Sequence, residues 1–177
     1  GFGKTGLNPA NQLSFLITEE LKHSTTLEQF CADWKNQPPP SSLRHRLVKK
    51  LAGIASKMHG SGMNHRDFYL CHFLLDKEQL KSNRIRLFLV DLHRAQIRTK
   101  VPERWLIKDL ASLYFSAMET GLTQKDKLRF IRHYAKGKLR RELNQNAQFW
   151  QKVERRAEAL HAKALRKNIL PAAAAKK

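Results

Sequence analysis

Acidic residues, cysteines and long apolar runs are what this sequence has least of. Its 177 residues carry 15 Asp and Glu against 34 Lys and Arg, a net charge of +19. Two cysteines, Cys31 and Cys71, are too few for a disulfide scaffold, and no CxxC pair offers a zinc site. The histidines follow neither HxxxH nor HExxH spacing. No apolar run approaches the roughly 18 residues that read as a transmembrane helix. Residues 1–10 lack the apolar stretch of a secretory signal. The hydrophobic content of 41% supplies a packed core, so the charge does not signal disorder. The expectation is one soluble, cytosolic globular domain that seeks something negative: nucleic acid, nucleotide phosphate, phosphorylated lipid or an acidic protein.

Apolar periodicity predicts a mainly α chain with a small β-hairpin. Leu13 to Thr18 reads as a buried strand, and Leu27 to Trp34 as a short helix behind Thr26, stopped by Pro38, Pro39 and Pro40. Leu43 to His59 has the spacing of an amphipathic helix, with Ser41 or Ser42 as its cap and Gly60 and Gly62 at its end. Phe73 to Leu75 and Ile85 to Val90 read as a strand pair around a turn over Lys77 to Asn83. Helices follow after Pro102 and, behind a Thr123/Asp126 capping box, up to Ala135. A last, basic helix is expected from Lys138 to Asn168, part of it standing off the core because its apolar positions are sparse. Trp34, Trp105, Phe149 and Trp150 are expected in cores.

Two polar clusters bracket the hairpin. His65-Arg66-Asp67 precedes its first strand, and Asp91 ends its second. Taken alone, Asp67 reads as a turn cap and Asp91 as a strand end. Together, on consecutive loops around one hairpin, they suit phosphoryl transfer, one carboxylate accepting a proton while the other holds a divalent metal. Gly3-Lys4-Thr5 lacks the GxxxxG frame and preceding strand of a P-loop.

These clusters sit inside longer blocks. Met63 to Leu75 (MNHRDFYLCHFLL) resembles the catalytic loop of the bacterial lipopolysaccharide core heptose(I) kinases, and Val90 to Gln96 (VDLHRAQ) resembles their metal-binding segment. Asn8 to Ala10, Phe15 to Glu19, Cys31 to Trp34 and Gly121 to Gln124 fit the same pattern in order, so the resemblance spans about residues 1 to 134. It implies a protein-kinase-like fold, with ATP and Mg2+ as cofactors and a lipopolysaccharide core heptose as acceptor. It implies Asp67 as catalytic base with His65 and Arg66 in the same loop, and Asp91 as metal ligand. Glu19, Glu20 and Leu21 become the adenine-binding hinge, His72 a nucleotide-site residue, and Asp109 the buried brace of the catalytic loop. The expected organisation is a hinge segment at 1–22, a kinase-like C-lobe core at 23–137, and a basic helix and tail at 138–177.

Departures from the general protein-kinase pattern temper this. His72 stands where the loop usually presents Asn, and imidazole suits magnesium poorly. Asp91 is followed by Leu-His rather than Phe-Gly. The glycine-rich loop and strand lysine of an N-lobe are absent from this chain, which is therefore expected to be inactive alone. The cytoplasmic face of the inner membrane is the expected location, with the acceptor, an anionic membrane surface or an acidic protein as partners. Nucleic acid, which needs a basic stripe but neither aspartate, remains the alternative class with an inactive kinase lobe. The basic helix reads either as a dock for anionic lipid or protein or as ordinary solvated surface.

Overall fold

The computed structural model describes residues 2–6, 13–16 and 19–167. Among these residues the fold is mostly helical, with three small antiparallel sheets. Strands β1 (Phe2–Thr5) and β2 (Leu13–Leu16) pair with Gly3 opposite Phe15. The strand expected at Leu13 to Thr18 therefore exists over Leu13–Leu16, but it is not buried: Leu13 is 72% exposed and Phe15 59%. Ile17 and Thr18 lie outside the described residues, as do Asn8 to Ala10 and residues 168–177. Gly3-Lys4-Thr5 belongs to β1.

β3 (Ser24–Thr26) runs into α1 (Leu27–Phe30), whose N-terminus is capped by the Thr26 hydroxyl accepting the Gln29 N–H at 3.1 Å. α2 (Ser41–Gly60) starts behind Pro40 without a side-chain cap, so neither Ser41 nor Ser42 plays the expected part. Proline fixes φ before the first turn, where no N–H acceptor is needed. Leu47, Ala55 and Met58 turn one face of α2 into the core. Gly62 then reverses the chain at φ +81°, and a Cβ there would collide with the Arg98 carbonyl.

β4 (Met63–Asn64) pairs with β7 (Gln96–Ile97), and β5 (Phe73–Asp76) lies between β3 and β6 (Leu87–Leu89). Phe73 faces Leu89 across the β5–β6 ladder. Alternation buries Phe73 and Leu75 against the helices. The turn expected over Lys77 to Asn83 contains a short helix, α3 (Lys77–Lys81), because the Asp76 carboxylate accepts the Gln79 N–H at 3.0 Å and nucleates it.

α4 (Glu103–Ala117) buries Leu110, Ala111 and Leu113. α5 (Gln124–Tyr134) carries the expected capping box, both of its bonds formed. The single basic helix expected next is two: α6 (Leu139–Gln145) and α7 (Ala147–Arg166), broken at Asn146. Glu142 holds the corner by accepting from the Asn146 amide at 3.0 Å and the Trp150 indole at 2.9 Å. Nor does α7 stand off: Val153, Ala157 and Ala164 are buried, and the helix packs along α4. Val153, Ala157 and Ala164, four and seven residues apart, keep one stripe of the helix small against α4, so few apolar residues suffice. Trp34, Phe149 and Trp150 pack against the core as expected, whereas Trp105 lies outside it. No helix among the described residues is long and apolar enough to cross a membrane.

Candidate active site

Two ladders set the site. One loop leaves β4 and enters β5; the other leaves β6 and enters β7. Because β4 pairs with β7 and β5 with β6, the loops carrying Asp67 and Asp91 emerge side by side. Side chains then tie them together. The His65 Nε2–H donates to the Val90 carbonyl at 2.9 Å. The His72 Nδ1–H donates to the Asp67 carbonyl at 2.6 Å, while its Nε2 lies 3.3 Å from Asp91 Oδ2. One imidazole thus touches both aspartates. Arg94 reaches back to give Asp67 two contacts, at 3.0 and 2.9 Å, from a single Nη1.

Both loops are bent where side chains rarely bend. Arg66 has φ +77° and Asp91 φ +63°. Left-handed backbone at non-glycine residues persists only where surroundings impose it, and such positions gather at functional sites. Asp109 of α4 is fully buried, and its two oxygens accept the backbone N–H groups of His65 at 2.7 Å and Arg66 at 2.8 Å. Behind it stands His59, with Nε2 3.4 Å from the carboxylate and Nδ1 2.9 Å from the Tyr134 hydroxyl. Burial first, then the charges of Asp109 and Glu142, push the Tyr134 phenol far up. The Asp109 carboxylate can only accept, so the contact is a bond donated by the His59 Nε2–H, and the Tyr134 hydroxyl faces the other ring nitrogen.

Asp91 is 40% exposed at its side chain and hydrogen-bonds His93 Nδ1. That bond is the main reason its carboxyl lies below the usual range; burial opposes, and the charges of His93, His72 and His65 add to the lowering. An ionised, accessible carboxylate is the donor magnesium takes when it keeps most of its waters and binds substrate phosphates. No group of three or more His, Cys, Asp or Glu that could hold a metal occurs among the described residues. The residues present therefore fit a metal held by Asp91 together with a ligand's phosphates, rather than an all-protein cage.

The other expected residues fall in two places. Glu19, Glu20 and Leu21 line an open cavity of about 470 Å3 with Asp76, Arg86 and Phe88, which Asp67, His72 and Asp91 do not border. His65 has no exposed surface and so cannot meet a ligand directly. Sequence reasoning passed over Arg94, although it lies three residues after Asp91 in the same block. It also passed over His59 as the partner of Asp109.

Residues 1–134 match the lipopolysaccharide kinase (Kdo/WaaP) family. The chain belongs to that family. It is similar to the lipopolysaccharide core heptose(I) kinase WaaP of Pseudomonas aeruginosa, 47% identical over 161 residues, covering 90% of this chain and 60% of the relative. It is also similar to the WaaP of Escherichia coli strain K12, 43% identical over 170 residues, covering 96% of this chain and 64% of the relative. The chain thus spans less than two thirds of the length of these curated relatives. A solved structure described as WaaP in complex with acyl carrier protein superimposes with a TM-score of 0.81 at 47% identity, over 90% of this chain and 67% of that one. The heptose(I) kinase resemblance read from residues 63–75 and 90–96 is the family relationship found here, and a mostly helical chain with small antiparallel sheets that superimposes on WaaP agrees with the kinase-like fold it implied.

Proposed function

We propose that this chain is the C-lobe of an ATP-dependent kinase that phosphorylates a heptose of the lipopolysaccharide inner core. The observation that carries the reading is the His72 ring joining the Asp67 loop to the Asp91 carboxylate. In this reading Asp67 accepts the proton of the acceptor hydroxyl. Arg94 orients its carboxylate while leaving lone pairs on both oxygens for that hydroxyl. Asp91 holds magnesium, which when bound neutralises phosphate charge. His65, Arg66 and Asp109 are positioning residues for the loop, and His72 couples the two aspartates. Glu19, Glu20 and Leu21 receive the adenine.

Residues 1–22, 23–137 and 138–177 serve in turn as hinge, lobe core and basic extension. The +19 charge supports work at the cytoplasmic face of the inner membrane, against anionic lipid and an acidic protein partner. The acyl carrier protein bound to the solved relative is an example of such a partner.

Replacing Asp91 by Ala in the full-length protein tests the metal assignment. Asp91 is exposed, so the fold and its thermal unfolding should be preserved, while magnesium-dependent ATP binding and turnover are lost. Unchanged metal dependence in the folded variant would remove Asp91 from the site.

A further inference from the structure

The α4 side of Asp67 gathers more positive charge than nearby carboxylates can pair. The guanidinium of Arg66 lies 5.0 Å from the Trp105 ring centroid, that of Arg104 5.4 Å, and the ammonium of Lys108 5.6 Å. Lys108 also sits within the fields of Asp67, Arg94, Arg66 and Asp109. The carboxylates at hand are already engaged. Arg94 takes Asp67, the catalytic-loop N–H groups take Asp109, and Lys152 takes Glu103 at 2.7 Å. Among the described residues, Arg66, Arg104 and Lys108 form no ion pair with any carboxylate. Two donors of the same cluster, Arg66 Nε and Trp105 Nε1, are buried without an acceptor.

Like charges held around one aromatic ring repel, and buried donors without acceptors are costly to keep. Such a cluster becomes favourable when an anion enters and accepts from it. The ring can hold cations in place without neutralising them, because the attraction is to its quadrupole. Arg104 is exposed and Trp105 and Lys108 are half-buried, so the cluster is open on one side. No hydrogen bond or ion pair joins the three cations to His72, Asp91 or His93, the side proposed for the metal and nucleotide phosphates.

We propose that Arg66, Arg104, Trp105 and Lys108 form an acceptor-side anion subsite, which takes a carboxylate or phosphate that the acceptor carries next to the neutral sugar whose hydroxyl is presented to Asp67. The acceptor role rests on the kinase reading; the anion binding itself does not. An acceptor that bears such an anion is thereby selected over one that does not, and the reacting hydroxyl is oriented by a charge-assisted contact beside the base.

Two measurements on the full-length protein test it. The first follows the Trp105 indole N–H resonance, assigned with a Trp105→Phe variant, during titration with glucose 6-phosphate, glucuronate and neutral glucose at constant ionic strength. A saturable shift with either anion and none with glucose is expected. Binding should weaken roughly 10- to 100-fold in the Arg104→Gln/Lys108→Gln double variant, the loss of one or two charge-assisted bonds. No shift with either anion, or equal binding by the double variant, overturns the subsite. The second measures phosphoryl transfer to lipopolysaccharide core. The double variant should raise KM for the acceptor by a similar factor with KM for ATP unchanged. An unchanged acceptor KM with active enzyme overturns the acceptor role. If the parent protein transfers no phosphate at all, the kinase reading fails, while the titration still decides whether the anion subsite exists.

Discussion

Asp109 concentrates the cost of the site in one side chain. Its carboxylate has no exposed surface, and its oxygens are matched by two backbone N–H groups and the His59 ring. Removing the acceptor leaves those donors buried and unpaired at once. Asp109→Ala should therefore destabilise the protein by about 3–5 kcal/mol, the range for breaking a buried charged network. Asp109→Asn, which keeps one oxygen, should cost less. Urea unfolding of both variants checks this, and an Ala variant within error of the parent would show that the contacts carry no stability. The bracing role of Asp109 was an expectation from the family resemblance, and its place in an apolar helix beside Leu110 only added that a buried charge there needs partners. Those partners were not legible, because backbone N–H groups carry no sequence signal and His59 lies 50 residues away in the chain. Arg94 was equally hidden: its bond to Asp67 crosses 27 residues and depends on two strand registers.

At the scale of elements, the N-terminus of α5 is where local sequence and tertiary contact coincide. Asp126 closes the capping box with Thr123 and also accepts from Arg44 of α2 at 3.2 Å and Arg129 at 3.0 Å. Burial pushes its carboxyl up, but the Thr123 and Arg44 bonds outweigh it and leave the group below its ordinary value of 3.8. A group with a depressed folded pKa stabilises the fold fully above its unfolded pKa and loses that contribution as pH falls through the folded one. Stability should therefore decline as pH drops below about 4, and the decline should be shallower in Asp126→Asn. Urea midpoints of the two proteins across pH 2 to 6 check it; parallel curves would assign the acid sensitivity elsewhere.

The capping box was readable because all its parts lie within four residues. α3 was not, since five residues are too few to show a period and only the Asp76 cap decides them. The break at Asn146 was invisible for a related reason. Lys, Arg, Glu, Gln and Ala favour helix on both sides, and it is Glu142, holding Asn146 and Trp150, that fixes the corner. The burial of β2 was misjudged because a short apolar run signals a strand without saying what covers it.

For the whole molecule, apolar periodicity and the two motif blocks fix the order of elements around the site, and pairing of β4 with β7 and β5 with β6 turns that order into proximity. Family membership follows from the blocks, and the +19 charge is consistent with the anionic acceptor, lipid and protein partners proposed. The charge is not spread evenly in consequence. Around Trp105 it stands beside the proposed base, whereas on α7 and at the outer face of α2 it meets solvent.

The central claim is that Asp67 is the base of a phosphoryl transfer. It is tested most directly by the rate of phosphate transfer from ATP to lipopolysaccharide core in the full-length protein carrying Asp67→Asn. The amide keeps the shape of the carboxylate and cannot take the proton. Turnover should fall by about 10²–10⁴-fold, the contribution of a positioned acid–base group, with ATP binding and thermal unfolding preserved. Near-parental turnover in the folded variant would contradict it.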